Sequence, residues 1–266
     1  MTERMGFFTD TSICIGCKAC EVACKEWNGV PAADKNGGGF EFLAQSYDNT
    51  GELGADTWRH VAFIEQKGPA DRGADGEFRW LMSSDVCKHC TSAACLEVCP
   101  TGSLVRTEFG TVVVQEDICN GCGYCIPACP FGVIDQRQGD GRVWKCTMCY
   151  DRLRGGLEPA CATACPTKSI QYGPLDELRA RAAARVGTLQ AAGVTEARLY
   201  GADPDDGVGG MGAFFLLLDD PEVYRLPPDP VVTTRDLPGM WRSAAAAAAT
   251  LAVGAAAAFL GRRPRR

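Results

Sequence analysis

The sequence predicts an α+β chain whose body is organised around four groups of four cysteines. Three observations carry that expectation. The 266 residues contain sixteen cysteines, and every one falls into a short run with none left over. Between the second and third runs, residues 104–106 and 111–114 flank Glu108-Phe109-Gly110 in a hairpin pattern. After the last run, residues 175–192 read as a helix with Asp176 near its start and Gly193 past its end. Residues 197–200 and 213–218 then read as strands.

Composition narrows the function. A hydrophobic content of 46% and a charged content of 23% belong to a folded protein. A net charge of −6 argues against a nucleic-acid partner, which requires a basic surface to neutralise phosphates. The chain is too long, and its cysteines too dilute, for a disulfide scaffold. With only two histidines, any metal site is built from thiolate. Residues 1–10 show neither a basic start with an apolar run nor paired arginines, so no signal peptide is expected.

The first group is Cys14, Cys17, Cys20 and Cys24, spaced C-x2-C-x2-C-x3-C. The second, Cys87, Cys90, Cys95 and Cys99, precedes Pro100. The third, Cys119, Cys122, Cys125 and Cys129, repeats the first spacing before Pro130. The fourth is Cys146, Cys149, Cys161 and Cys165, followed by Pro166. Three thiolates on one tight loop reach three irons of one 4Fe-4S cubane, while the fourth enters a helix and points to a neighbouring cluster. Disulfides at such short separations are strained, and four-cysteine zinc sites use two pairs separated by a longer segment. The spacing is that of two-cluster bacterial ferredoxins, here present twice.

If the groups pair as two ferredoxin-like modules, four 4Fe-4S clusters follow. Groups two and three form an inserted module, residues 80–135; groups one and four form an outer one, residues 1–79 and 136–174. Cys14, Cys17, Cys20 and Cys165 then hold one cluster, and Cys24, Cys146, Cys149 and Cys161 its neighbour. Cys87, Cys90, Cys95 and Cys129 hold a third, and Cys99, Cys119, Cys122 and Cys125 the fourth. Gly16, Gly121 and Gly123 let backbone approach the sulfurs. Lys18, Lys25, Lys88 and Lys145 stand beside ligands, either raising local reduction potentials or lying solvated at the surface. His89 and His60 are not needed as ligands. Ile15, Val98, Ile118, Ile126, Phe131, Val133 and Ile134 are expected to pack around the clusters and limit water.

Residues 28–57 read as a long irregular insertion, and 58–64 and 78–82 as strands leading into the second group. Gly207, Gly209 and Gly212 match G-x-G-x-x-G, but the strand-like residues that follow exclude a dinucleotide site, which must open a helix. Asp203, Asp205 and Asp206 read as a solvated turn. The C-terminal extension, residues 175–242, ends in a proline-rich arm, 221–238, expected to be extended. Residues 243–260 carry no charge, span about 27 Å as a helix and are expected to cross a membrane once. Thr250, Gly254 and Ala258 form a small-residue ridge. Arg262, Arg263, Arg265 and Arg266 would keep the C-terminus cytoplasmic and the body outside; the alternative is a peripheral protein on the cytoplasmic face.

The four groups, in this order and with these gaps, resemble the iron-sulfur subunits of membrane-bound molybdopterin oxidoreductases. Residues 20–28, 46–51, 57–61 and 226–230 resemble the formate dehydrogenase beta subunit in particular. Cys122 stands where a tryptophan, as in nitrate reductases, goes with a three-iron cluster, so four complete cubanes are implied. The resemblance implies a molybdenum- or tungsten-pterin catalytic alpha subunit that oxidises formate, and a membrane gamma subunit passing electrons to quinone. It also implies that the cluster of Cys14, Cys17, Cys20 and Cys165 faces the catalytic subunit. That of Cys99, Cys119, Cys122 and Cys125 would face the membrane. A partner's twin-arginine signal would then carry the folded protein across, and this subunit would be non-catalytic by itself.

Overall fold

The protein is represented by a computed structural model in which residues 3–31, 48, 51–67 and 78–260 are described. Most of the irregular insertion, residues 46, 47, 49 and 50 of the family-like stretch, and the terminal arginines lie outside the described residues. From the N-terminus come β1 (Met5–Asp10), α1 (Ala19–Asn28) and a long hairpin of β2 (Arg59–Lys67) and β3 (Phe78–Val86). Next are α2 (Ala94–Glu97), the hairpin β4 (Leu104–Arg106) and β5 (Val112–Val114), and α3 (Cys125–Ala128). The pair β6 (Asp135–Gln136) and β7 (Val143–Trp144) leads to α4 (Tyr150–Arg154) and α5 (Ala160–Thr163). The body ends with β8 (Ile170–Pro174), α6 (Leu175–Ala191), β9 (Arg198–Tyr200) and β10 (Ala213–Leu217).

Both ends of the body meet in one four-stranded sheet of order β8-β1-β10-β9. β1 runs parallel to β10 and antiparallel to β8. β10 reads AFFLL and is buried along its whole length, as a strand covered on both faces must be. Phe8 lies opposite Phe214 in register and stacks on it at 5.3 Å between ring centroids. α6 presents Leu175, Leu178 and Ala182, three or four residues apart, as its buried stripe against this sheet. Residues 175–232 therefore share one compact unit with the cysteine groups.

The expected helix, both β9 and β10, the β2 and β3 strands and the hairpin around Phe109 are all present. The proline-rich arm is not extended throughout: Pro221–Tyr224 forms a turn of 3-10 helix, with Pro221 at its start where the missing N–H costs nothing. Leu226 and Val232 are buried. The glycine-rich stretch before β10 runs against the second cysteine loop. Thr91 N–H donates to Gly210 O at 2.9 Å, Ser92 N–H to Val208 O at 2.8 Å and Ala213 N–H to Lys88 O at 2.9 Å. Its glycines serve close backbone packing, and no helix follows them.

Residues 233–266 form a second unit containing α7 (Leu237–Leu260). This helix begins six residues before the uncharged tail, with Pro238 in its first turn. Its most apolar 18-residue stretch has a mean hydropathy of 1.8, and its 24 residues span about 36 Å at 1.5 Å per residue, long enough to cross a bilayer. The Thr250 hydroxyl donates to Ala246 O at 2.9 Å, so it carries no unpaired donor along an apolar helix.

In β1, a Cβ on Gly6 would strike the backbone oxygen of Gly212 and come within 2.7 Å of Leu175 Cδ1. Gly6→Ala is expected to lower stability by about 1–3 kcal/mol through overpacking, read as a reduced denaturation midpoint with unchanged spectra.

Candidate metal centre

The cysteine loops turn through left-handed backbone. Gly16 and Lys18 have positive φ in the first loop, His89 in the second, Gly121 and Gly123 in the third, and Met148 and Cys149 in the fourth. The non-glycine residues among them are strained conformers held by their surroundings. Gly16 has a second constraint, because a Cβ there would lie 2.6 Å from Phe63 and 2.8 Å from the Met82 sulfur. Cys20 and Cys24 both lie in α1. In the other groups the third cysteine (Cys95, Cys125, Cys161) lies in a one-turn helix, and the fourth (Cys99, Cys129, Cys165) follows that helix. The expectation that each fourth cysteine enters a helix therefore holds only for the first group.

All sixteen cysteines are free. Several thiols have as their nearest electrostatic neighbours the members of the four expected sets, while Cys20 and Cys146 respond first to thiols of an adjoining set, Cys161 and Cys87. Cys14 responds to Cys165 and Cys17, and one small cavity is lined by Cys14, Cys17, Cys20 and Cys165. β1 delivers Cys14 and β8 receives the chain after Cys165, so their antiparallel pairing brings the first and last cysteines together. Cys24 responds to Cys146, Cys161 and Cys149. Cys90 responds to Cys87, Cys129 and Cys95, and these four line one small cavity. Cys125 responds to Cys122, Cys99 and Cys119. Three further pairs join the sets in a row: Cys20 with Cys161, Cys146 with Cys87, and Cys95 with Cys125.

Burial pushes these thiols up: Cys20 and Cys125 to about 11, Cys95 and Cys146 to about 12, and Cys24 further still. Cys99 is the exception. Its slight desolvation is outweighed by hydrogen bonds with Ser103 (3.2 Å) and Thr101 (3.6 Å), which bring it down to about 6.

Cations lie among these thiols. Lys145 is 2% exposed, donates to Val112 O and to Cys146 O at 2.9 Å, and is held charged against desolvation by Cys87, Cys95 and Cys146. Lys88 is buried, pairs with Asp85 and sits over the Phe131 and Phe215 rings. Lys25 donates to Pro31 O and Asp56 O, and Lys18 pairs with Glu21 and Asp48. Arg59, which the cysteine spacing gave no reason to single out, is 2% exposed and donates to Cys161 Sγ at 3.3 Å. The sequence cue was its place in the family-like stretch 57–61, at the start of a strand. Val133 and Ile134 are buried, and Val98, Ile126 and Phe131 pack against the core. Ile15 and Ile118 are 58% and 42% exposed, because the tips of the first and third loops reach the surface with Cys17 and Cys122, although Ile15 also lines the cavity of the first set.

The donor set fits iron-sulfur clusters. Arg59 Nε and His89 Nε2 are buried without partners, and His89 lines the cavity of the Cys90 set. His89 Nδ1 accepts from Val112 N–H at 3.0 Å, and desolvation drives its pKa well below the ordinary value. It is therefore neutral, with its proton on Nε2, a donor rather than a ligand.

Residues 13–103 and 78–175 each match a family model described as a 4Fe-4S dicluster domain. The sequence is 39% identical over 239 residues to the nitrate-inducible formate dehydrogenase iron-sulfur subunit of Escherichia coli K12, covering 88% of this protein and 76% of that one. This protein belongs to the formate dehydrogenase iron-sulfur subunit family. The formate dehydrogenase iron-sulfur subunit of Haemophilus influenzae is 40% identical over 230 residues, 84% of this protein and 68% of its own length. The B subunit of the anaerobic dimethyl sulfoxide reductase of Escherichia coli K12 is 36% identical over 181 residues, 67% of this protein and 78% of its own length.

The raised thiols fix the sign of two pH effects. Without metal, their stabilising contribution is complete below the ordinary thiol value and lost as pH rises toward 11–12, so the metal-free fold should melt lower at pH 10 than at pH 7. Iron binding displaces those protons, so a chelator should strip the loaded protein faster at pH 6 than at pH 8. Melting curves with chelator and reductant, and iron release followed by absorbance, check both arms.

Proposed function

We propose that this protein is the electron-transfer subunit of a formate dehydrogenase complex and holds four 4Fe-4S clusters in a row. The observation that supports this reading is the approach of cysteines far apart in sequence, Cys14 to Cys165, Cys24 to Cys146, Cys149 and Cys161, and Cys99 to Cys125. Cys14, Cys17, Cys20 and Cys165 hold the first cluster; Cys24, Cys146, Cys149 and Cys161 the second. Cys87, Cys90, Cys95 and Cys129 hold the third; Cys99, Cys119, Cys122 and Cys125 the fourth. This reading has residues 80–135 as a module inserted into an outer one, 1–79 and 136–174. The pairing of Cys14 with Cys165 across β1 and β8 supports it.

Bound clusters supply one-electron carriers. The protein's own residues hold them, exclude water from the middle sets and neutralise charge there with Arg59, Lys145 and Lys88. Exposed Cys17 and Cys122 leave the first and fourth sets open at the surface. In this reading the first meets a molybdenum- or tungsten-pterin catalytic subunit, and the fourth meets a membrane subunit that reduces quinone. The subunit catalyses nothing alone. α7 anchors it by one span, with the body on the extracytoplasmic side. The likeness to the dimethyl sulfoxide reductase B subunit supports a second reading, the same relay serving a reductase and carrying electrons the other way.

Anaerobically purified protein from a cluster-assembling host should be brown, with about sixteen irons and matching acid-labile sulfide. Cys125→Ser should alter one EPR signal and cut formate-to-quinone transfer while dye-linked formate oxidation survives. Colourless protein overturns the cluster reading, and co-purification with a molybdoenzyme inactive on formate overturns the choice of partner. Removing residues 233–266 should move the complex from the membrane fraction toward the soluble one.

A further inference from the structure

Arg59 is the first residue of β2, and its guanidinium lies between two of the thiol sets. Nη2 donates to Cys161 Sγ of the second set at 3.3 Å. Nη1 donates to Ser84 O at 3.2 Å and to Ser84 Oγ at 3.3 Å. The Ser84 hydroxyl is itself 3.3 Å from Cys20 Sγ of the first set. The face of the Phe7 ring lies 4.9 Å from the guanidinium carbon. Among the described residues no carboxylate pairs with Arg59, and its Nε is buried without any partner.

A guanidinium stays charged, and burying one alone costs several kcal/mol. The groups that offset its desolvation are the thiols of Cys161, Cys20, Cys146 and Cys24. Three of these belong to the second set and one to the first. The missing counter-charge is therefore the negative charge of the metal-loaded sets. Because reduction adds one negative charge to a cluster, a fixed cation nearby favours the reduced form.

We propose that Arg59 is a shared electrostatic bridge that raises the reduction potentials of the first and second clusters together and leaves the third and fourth unaffected. Its position supports the assignment, since Ser84 and Phe7 fix the guanidinium at the junction of the two sets. This rests on the cluster reading above, and it adds a positioning residue whose effect is a potential rather than a bond to iron.

The test is an EPR-monitored redox titration of the full-length complex, purified anaerobically, with iron and sulfide measured on each sample. Arg59→Gln keeps a hydrogen-bonding head and removes the charge. With full iron content, two of the four potentials should fall by at least a tenfold change in the reduction equilibrium, about 59 mV for one electron. The other two should stay in place, and Arg59→Lys should restore most of the loss. Unmoved potentials, or a uniform shift of all four, overturn the proposal. If Arg59→Gln loads poorly, Arg59→His decides: the first and second potentials should fall more steeply than in wild type as pH rises through the imidazole range, while the third and fourth keep their wild-type pH dependence, and four unchanged pH dependences overturn the bridge. Wild-type protein without iron and sulfide would sink the cluster reading itself, a result distinct from either outcome.

Discussion

Two buried basic side chains at the centre of the body, Arg59 and Lys145, constrain everything around them. Each is 2% exposed, and each has thiols as its dominant electrostatic neighbours. A lone buried ion is among the most costly features a fold can contain. Buried thiols have the opposite need, because desolvation keeps them protonated and unfit to bind metal. Each feature is unfavourable by itself, and they compensate only when the thiols are converted to metal-bound thiolates. The metal-free body is thus built around a charge imbalance that loading corrects, so folding and metal binding are linked by electrostatics as well as by geometry.

Local elements supply the precision this requires. β2 and β3 pair over nine positions from Arg59–Val86 to Lys67–Phe78. That ladder fixes Arg59 and Ser84 on adjacent strands and ends directly before Cys87. Glu21 of α1 accepts from Val61 N–H, which ties the first cysteine helix to the same hairpin. The loop before β10 fixes the second group through backbone hydrogen bonds from Thr91, Ser92 and Ala213. A ligand loop hung only on exposed turns would be free to shift; here ordered backbone holds the loops at several points.

The parts of this architecture that were legible in the sequence are those with a local signature. The cysteine spacing, the hairpin around Phe109 and the helix at residues 175–191 each depend on neighbours within a few positions. β1 and β8 have no such pattern. Met5–Asp10 is six residues long, and its strand character comes from partners more than 160 residues away. The 3-10 turn at Pro221–Tyr224 was hidden because five nearby prolines suggest extension, whereas one proline at the start of a helical turn is compatible with it. Arg59 was hidden for a related reason. Its burial is dictated by the thiols of Cys20, Cys24, Cys146 and Cys161, which approach it only in the folded protein. Ile118 misled in the opposite sense, since an apolar residue beside a cysteine says nothing about whether the loop tip faces inward.

The distance in sequence between Cys14 and Cys165 is an obstacle to assembling the first set, but a small one. Loop-closure entropy grows only with the logarithm of length, so a tenfold longer loop costs about 2 kcal/mol more. The strands flanking these two cysteines are packed into a sheet whose Phe7, Phe8, Phe214 and Phe215 are all at most 1% exposed. Burying one such side chain contributes roughly 1.5–3 kcal/mol, comparable to the whole added closure cost. Apolar pairing at the ends can therefore close the polypeptide around everything between them. The intervening residues need only fold compactly and return the backbone to β8, which is why cysteine groups so far apart can share one body.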